Sequence, residues 1–168
     1  MDRVVVIGCS GSGKSTLARA LAARTGLPAV HLDMLYWQPD WKDHPDLPAF
    51  HAKVRAACEG PRWIMDGGFT TGNVEVRFAR ADTIILFDLP PWLCLYRAFK
   101  RYLIYRGETR PDLAPGCPEK FDFAFYRYIL TYRRKQLPKI EANIAAYFTG
   151  RLVRLRSDRE TQAFLASL

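Results

Sequence analysis

The residue pattern predicts an α/β fold in three layers, a five-stranded parallel sheet with helices on both faces. Three observations predict it. Short apolar runs at residues 3–7, 29–32, 63–65, 83–87 and 152–155 alternate with helix-period segments, and strands separated by helices pair in parallel. Both faces of such a sheet are covered. The second, third and fourth runs lead directly into Asp33, Asp66 and Asp88, so carboxylates gather beyond the carboxyl ends of the strands, where sheets of this kind bind ligands.

Each element has a local reason. Residues 3–7 form the first strand. The helix at 14–24 is stopped by Gly26 and Pro28. After the short strand at 29–32, residues 33–46 are rich in Pro, Asp and Trp and read as a functional loop. The helix at 47–58 ends at Gly60-Pro61, and the strand at 63–65 ends at Asp66-Gly67-Gly68. The strand at 83–87 ends at Asp88. A long helix at 92–105 puts Trp92, Leu95, Tyr96, Phe99 and Leu103 on one face. Residues 107–120 hold Pro111, Pro115, Gly116 and Pro118 and form a loop. Helices at 121–134, with Phe121, Phe125, Tyr128 and Tyr132 along a stripe, and at 136–147 follow. Ser157 and Glu160 form a capping box that starts the last helix.

The 168 residues suit one domain with a substantial core. No apolar run approaches the length of a membrane span, and residues 4–7 are too short for a signal peptide. Cys9, Cys58, Cys94 and Cys117 show no paired spacing, which argues against a disulfide framework or zinc site and for a reduced, cytoplasmic protein. The net charge is +8, and residues 94–139 supply +7 of it, with eleven Lys or Arg against four acids. A local basic field implies an anionic partner, either nucleic acid or the phosphates of small nucleotides.

Between the first strand and first helix lies Gly8-Cys9-Ser10-Gly11-Ser12-Gly13-Lys14-Ser15, followed by Thr16. This is the phosphate-binding loop pattern, with Gly at the first and sixth positions, then Lys and Ser. The glycines let the backbone fold into a nest of inward-pointing amides, and the helix N-terminus adds unpaired N–H groups. Lys14 brings a full charge to the β- and γ-phosphates, and Ser15 is placed to ligate Mg²⁺. ATP and Mg²⁺ are thus the expected cofactors, with residues 8 and 10–16 as the nucleotide contacts. A Gly/Ser-rich turn that binds nothing is the alternative. Asp88, after four apolar residues, fits a carboxylate that holds Mg²⁺ through water, or else a turn cap beside Pro90. Asp33 could accept a proton from a substrate hydroxyl, bind that hydroxyl or assist the metal. Asp66 with Gly67 permits close approach of a ligand, or forms a simple tight turn. Trp37 and Trp41 are acceptor-pocket candidates.

These residues resemble the adenylate-kinase-type branch of P-loop kinases. Asp88-Leu89-Pro90 followed by Arg97 and Arg101 resembles that family's strand-ending acid, Pro and Arg-x-x-x-Arg helix leading to a mobile lid. The resemblance implies that Arg97 and Arg101 contact the donor nucleotide and take part in catalysis with Lys14 and Asp33. It also implies that Asp66-Gly67 opens the acceptor-side motif. Within the branch, His31-Leu32-Asp33, Tyr36-Trp37-Gln38-Pro39, Trp92-Leu93-Cys94-Leu95 and Gly116-Cys117-Pro118-Glu119 look very like bacterial DNA topology modulation proteins, and that likeness runs the whole chain. The domain then reads as one nucleoside-monophosphate-kinase-like unit over 1–168, with an acceptor-side insertion at about 33–60 and a lid at about 106–134. The chain departs from adenylate kinases in two places. Gly68-Phe69-Thr70 lacks their acceptor-gripping Arg, for which Arg77 or Arg80 are substitutes, and the lid has only Cys117 of a zinc set. Pro91 replaces an Arg common in the topology-modulation proteins.

Arg127 and Arg134, seven apart on one helical face, join Asp33, Trp37, Asp66 and Gly67 as expected substrate contacts. The expected activity is transfer of the γ-phosphoryl of ATP-Mg²⁺ to a small-molecule or nucleotide acceptor. The other reading is an ATP-switched DNA-binding protein whose basic segment meets the duplex.

Overall fold

The computed structural model describes residues 1–68, 73–109 and 113–168. Its five strands are β1 (Arg3–Gly8), β2 (Ala29–His31), β3 (Trp63–Asp66), β4 (Thr83–Phe87) and β5 (Arg151–Leu155). They form one sheet in the order β2-β3-β1-β4-β5, with every neighbouring pair parallel. The strand that carries the glycine-rich turn is therefore central, with Val6 in register with Asp66 of β3 on one side and Ile85 of β4 on the other. The turn opens at the carboxyl edge beside the ends of both neighbours, where the strand order reverses.

The helices are α1 (Lys14–Thr25), α2 (Leu32–Tyr36), α3 (Leu47–Glu59), α4 (Val74–Arg80), α5 (Pro91–Ile104), α6 (Phe123–Lys135), α7 (Leu137–Tyr147) and α8 (Asp158–Ala166). Val4 to Ile7, Ile64, Met65 and Ile84 to Leu86 are fully buried between the layers. Each such side chain contributes about 1.5–3 kcal/mol relative to exposure, which makes the sheet the rigid platform of the site. Trp63 is buried as well, and its indole N–H donates to the carbonyl of Cys58.

Two segments differ from expectation. Part of 33–46 is structured: α2 occupies Leu32–Tyr36 and a 3₁₀ turn occupies Pro39–Trp41, leaving the second strand one residue shorter. Five residues are too few for periodicity to register. Helix α4 is not legible for the same reason; its seven residues bury Val74, Arg77 and Phe78 after Asn73, which starts the helix from a left-handed conformation (φ 51°). The capping box at α8 forms with one change. Ser157 Oγ accepts from Glu160 N at 3.1 Å, while Glu160 Oε2 reaches one residue further back, to the N–H of Arg156 at 2.7 Å.

Residues 107–109 and 113–120 contain no helix or long strand. Isolated bridges pair Arg106 with Glu119 and Thr109 with Pro118. Leu113, Ala114 and Cys117 form a small second core with Trp37 and Trp41. Three bonds fasten it: Asp40 N to Gly116 O at 2.7 Å, Trp41 Nε1 to Pro118 O at 2.7 Å, and Cys117 Sγ to Gln38 O at 3.2 Å. Residues 113–118 are thus joined to the turn after α2, while α6 packs into the main core through Tyr126, Ile129 and Tyr132. Phe69, Thr70, Arg110, Pro111 and Asp112 lie outside the described residues.

Candidate functional site

The glycine-rich loop closes on itself. Ser12 N donates to Cys9 O at 3.2 Å, Leu17 N bonds Gly13 O at 2.9 Å, and Lys14 Nζ donates to Cys9 O at 2.9 Å. Gly11, at φ 81°, presses on α5: a Cβ there would lie 2.2 Å from the carbonyl oxygen of Cys94 and 3.4 Å from Ala98 N. That contact explains the small residues of α5, whose buried positions are Cys94 and Ala98. It also brings Cys9 beside Cys94. A hydrogen bond to Cys94 and burial both push the Cys9 thiol well above its usual range, so it is protonated and inert at neutral pH. All four cysteines are free and buried.

The loop faces a cavity of about 870 Å³, the size of a nucleotide with a second small molecule. Gly8, Ser10, Gly11, Gly13, Lys14, Ser15 and Thr16 line it, together with Asp33, Trp37, Arg97 and Arg101. The structure therefore assembles residues from β1, α1, α2 and α5 that are far apart in sequence. Trp41 and Gly68 also line it. Ser12 does not; it is buried beneath the loop, and its hydroxyl has no hydrogen-bond partner.

The two arginines of α5 are positioned by acids. Arg101 Nε lies 2.8 Å from Glu119 Oε1, a buried carboxylate at the base of the lid, and its guanidinium sits over the Phe125 ring at 5.9 Å. Arg97 pairs with Asp158 in the first turn of α8. Glu119, Lys120, Asp122 and Gln136 are cavity residues that sequence reasoning did not assign to a site. The capping position of Asp122, whose carboxylate accepts from Ala124 N and Phe125 N, was a signal for the start of α6.

Other expected residues lie elsewhere. Asp66 and Gly67 are buried and do not line the cavity; Asp66 Oδ2 is 2.9 Å from His31 Nδ1 and Asp66 Oδ1 has no hydrogen-bond partner. Arg77 backs this turn. It is fully buried, donates to Gly67 O at 3.4 Å, and burial pulls its pKa down to about 10. Arg80 is exposed and bonds the carbonyl of Glu59. Neither lines the cavity, so the suggested substitutes for an acceptor-gripping arginine are structural. Arg127 and Arg134 are exposed on α6 and do not line the cavity either, because the buried seam of that helix is Tyr126, Ile129 and Tyr132. Of the expected aromatic stripe, Tyr132 is core, while Phe125 and Tyr128 face the cavity.

Asp88 ends β4 in a bracket of arginines. Arg133 Nε is 3.2 Å from Oδ1, Arg154 Nη1 is 3.2 Å from Oδ2, and Arg156 Nε is 3.9 Å from Oδ2. Arg154 also pairs with Glu141. Asp88 is buried and does not line the cavity that contains Ser15. Asp88→Asn is expected to lower stability by about 1–3 kcal/mol, below the value for a fully buried pair because two of the arginines are more than half exposed. Thermal melting without nucleotide reads this loss. The Mg²⁺ dependence of nucleotide binding should stay within twofold; a large change in it, with melting unaltered, would make Asp88 a metal ligand instead.

The donor set fits the expected ligands. The nest of amides, Lys14 and the helix N-terminus suit a polyphosphate. The Ser15 hydroxyl and the Asp33 carboxylate, both on the cavity, suit Mg²⁺, which takes few protein ligands and keeps phosphate and water oxygens. Among the described residues no group of three or more His, Cys, Asp or Glu could hold a metal by itself.

The fold is that of P-loop kinase structures. Shikimate kinase from Bacteroides thetaiotaomicron superposes with a TM-score of 0.60 and 16% identity, over 99% of this chain and 95% of that one. A gluconokinase from Sinorhizobium meliloti 1021 gives 0.56 and 16%, over 99% and 92%. No protein-family model matches the chain, and no curated protein matches it in sequence. Among the described residues no helix is long and apolar enough to cross a membrane.

Proposed function

We propose that this chain is an ATP-dependent phosphotransferase that moves the γ-phosphoryl of ATP-Mg²⁺ to a small-molecule or nucleotide acceptor beside Asp33 and Trp37. One observation carries the reading: a phosphate cradle, two arginines from α5 and a carboxylate with an indole wall meet in a single cavity. Two of the solved neighbours are named as kinases, which supports the same class of chemistry. In this reading the acceptor oxygen attacks the γ-phosphorus as the bond to the β–γ bridging oxygen breaks, and ADP leaves. Lys14 neutralises the γ-phosphoryl oxygens, and Arg97 and Arg101 hold charge that spreads over the transition state. The Ser15 hydroxyl and Asp33 would hold Mg²⁺, which would supply positive charge to screen the phosphates. Asp33 also takes the acceptor proton or orients the acceptor. The lid, tied to the Trp37–Trp41 turn, excludes water from the reacting oxygens. The four free thiols fit a reducing compartment, and we infer a cytoplasmic setting.

An ATP-switched DNA-binding protein would need its cations turned toward a duplex. Arg97 and Arg101 face the cavity and are paired with Asp158 and Glu119, which favours the phosphotransferase, while Lys100, Arg127 and Arg134 are exposed, so the salt dependence of duplex binding is the discriminator.

The test is a panel of nucleosides, nucleotides and small hydroxyl compounds, scored for phosphorylated product and for ADP release above ATP hydrolysis by water. With an active acceptor in hand, Asp33→Asn should cut acceptor turnover by roughly 10²-fold or more and weaken ATP-Mg²⁺ binding by much less, since Ser15 and the phosphates would keep the metal. Equal losses in both would assign Asp33 to the metal alone. A panel without product, together with no heat on titration of millimolar ATP-Mg²⁺, would overturn the phosphotransferase reading.

A further inference from the structure

We propose that the outer face of α5 and α6 is a docking surface for an anionic lipid bilayer, peripheral and reversible. The inference is independent of the phosphotransferase reading. It begins with the packing of α5. Because the Gly11 backbone presses against Cys94 and Ala98, the face of this helix that meets the loop has no room for bulk, and the aromatic side chains of Trp92, Tyr96 and Phe99 lie exposed with Leu103, while Leu93 and Leu95 pack at the flanks against the core. Trp92 is 67% exposed, Tyr96 61%, Phe99 43% and Leu103 59%. Their spacing places them along one side of α5, a ridge roughly 16 Å long. Helix α6 lies against α5, with Phe99 meeting Tyr126 at 6.3 Å between ring centroids. It adds Phe123 and Leu130, which are 74% and 52% exposed. Scattered apolar residues on a surface mean little, but a contiguous set this large marks an interaction site.

The charge on these helices selects the partner. Neither α5 nor α6 contains a single Asp or Glu, and together they hold seven Lys or Arg. Lys100, Arg127, Arg134 and Lys135 are exposed beside the apolar ridge. A second copy of this chain would set these four cations, unpaired with any acid among the described residues, against the same four, so the charge opposes self-association. Nucleic acid would satisfy the cations, but its bases stack on aromatic faces and have no use for the exposed aliphatic side chains of Leu103, Ile104 and Leu130. An anionic bilayer uses every part. Aliphatic and Phe side chains enter the acyl boundary, Trp and Tyr favour the headgroup level, and the cations meet acidic headgroups. Arg97 and Arg101, which line the cavity, lie on the far side of α5 from the ridge.

The experiment is co-sedimentation of the full chain with extruded vesicles of phosphatidylcholine alone or with about 30% phosphatidylglycerol, in about 0.1 M salt. Binding should be at least about tenfold stronger to the anionic vesicles and should be lost in about 1 M salt. The double variant Tyr96→Glu/Leu103→Glu should reduce binding by a further factor of about ten while its thermal melt stays within a few degrees, since both positions are exposed. Arg127→Glu/Arg134→Glu should do the same through charge alone. Three outcomes would overturn the inference. The first is equal sedimentation with both vesicle types or with none. The second is a concentration-dependent dimer that Tyr96→Glu/Leu103→Glu abolishes, which gives the face to a second copy. The third is binding to a single-stranded oligonucleotide without binding to vesicles.

Discussion

Lys14→Ala should cut phosphoryl transfer by roughly 10²- to 10³-fold or more and remove the thermal upshift that ATP-Mg²⁺ gives the parent protein. Lys14 is the one full positive charge built into the loop itself, and in a site that excludes water no solvent dipole replaces it. The fold should barely register the change. Without nucleotide the Lys14 ammonium is spent on a hydrogen bond to Cys9 O, worth about 1 kcal/mol net. For a domain of this size that is a Tm change of about 2–4 °C. Two melting curves therefore decide the matter. Near-equal curves without ATP, and a shift only in the parent with ATP-Mg²⁺, place Lys14 on the phosphates. A variant that keeps both its ATP shift and its turnover would remove Lys14 from the chemistry and the cavity from the proposed function.

The parts of this site that were legible in sequence are those fixed by backbone chemistry. A Gly-x-x-x-x-Gly-Lys-Ser run after an apolar strand has one dominant structural solution, and the parallel sheet follows from apolar runs separated by helices. Asp33 and Trp37 reach the cavity as expected, because the carboxyl end of β2 points there. The i, i+4 spacing puts the α5 arginines on one face of a helix that starts just after β4, and that this face meets the cavity is implied by the family resemblance. Their partners were not legible. Glu119 follows α5 by 15 residues and Asp158 comes from α8, and no local pattern announces an ion pair across 18 or 61 residues, nor the arginine bracket that Arg133, Arg154 and Arg156 form around Asp88.

Periodicity finds a helical face without saying which side is inward. Of the stripe that the sequence displays, Trp92, Tyr96, Phe99 and Leu103 are exposed and Leu95 packs against the core, while the fully buried side of α5 is the pair Cys94 and Ala98. The information that reverses the helix resides in Gly11, some eighty residues earlier, whose close approach leaves no space for an indole or a phenol. Arg127 and Arg134 fail for a related reason. They do share a face, but the contact that orients α6 is made by Tyr126, Ile129 and Tyr132, and it turns that face outward.

The same seam yields the prediction with the largest effect on stability, Gly11→Ala. A Cβ at Gly11 would lie 2.2 Å from Cys94 O and 3.1 Å from Cys94 C, and both are backbone atoms of a packed helix. Neither can move unless α5 or the loop shifts as a body. Overpacking of this kind costs about 1–3 kcal/mol, and a φ of +81° adds about 1–2 kcal/mol for an L-side chain. Together these amount to a large fraction of the ~5–15 kcal/mol that holds a domain folded, so a Tm loss on the order of 10 °C is expected. Gly13→Ala is the control. Gly13 has a comparable φ of +99°, but a Cβ there meets nothing within 4 Å, so only the conformational cost of about 1–2 kcal/mol applies. Both variants should lose ATP affinity, because both distort the amide nest, but only Gly11→Ala should also melt far earlier without nucleotide. Equal melting of the two would mean that the loop does not bear on α5, and the account of why that helix exposes its aromatic ridge would fail with it.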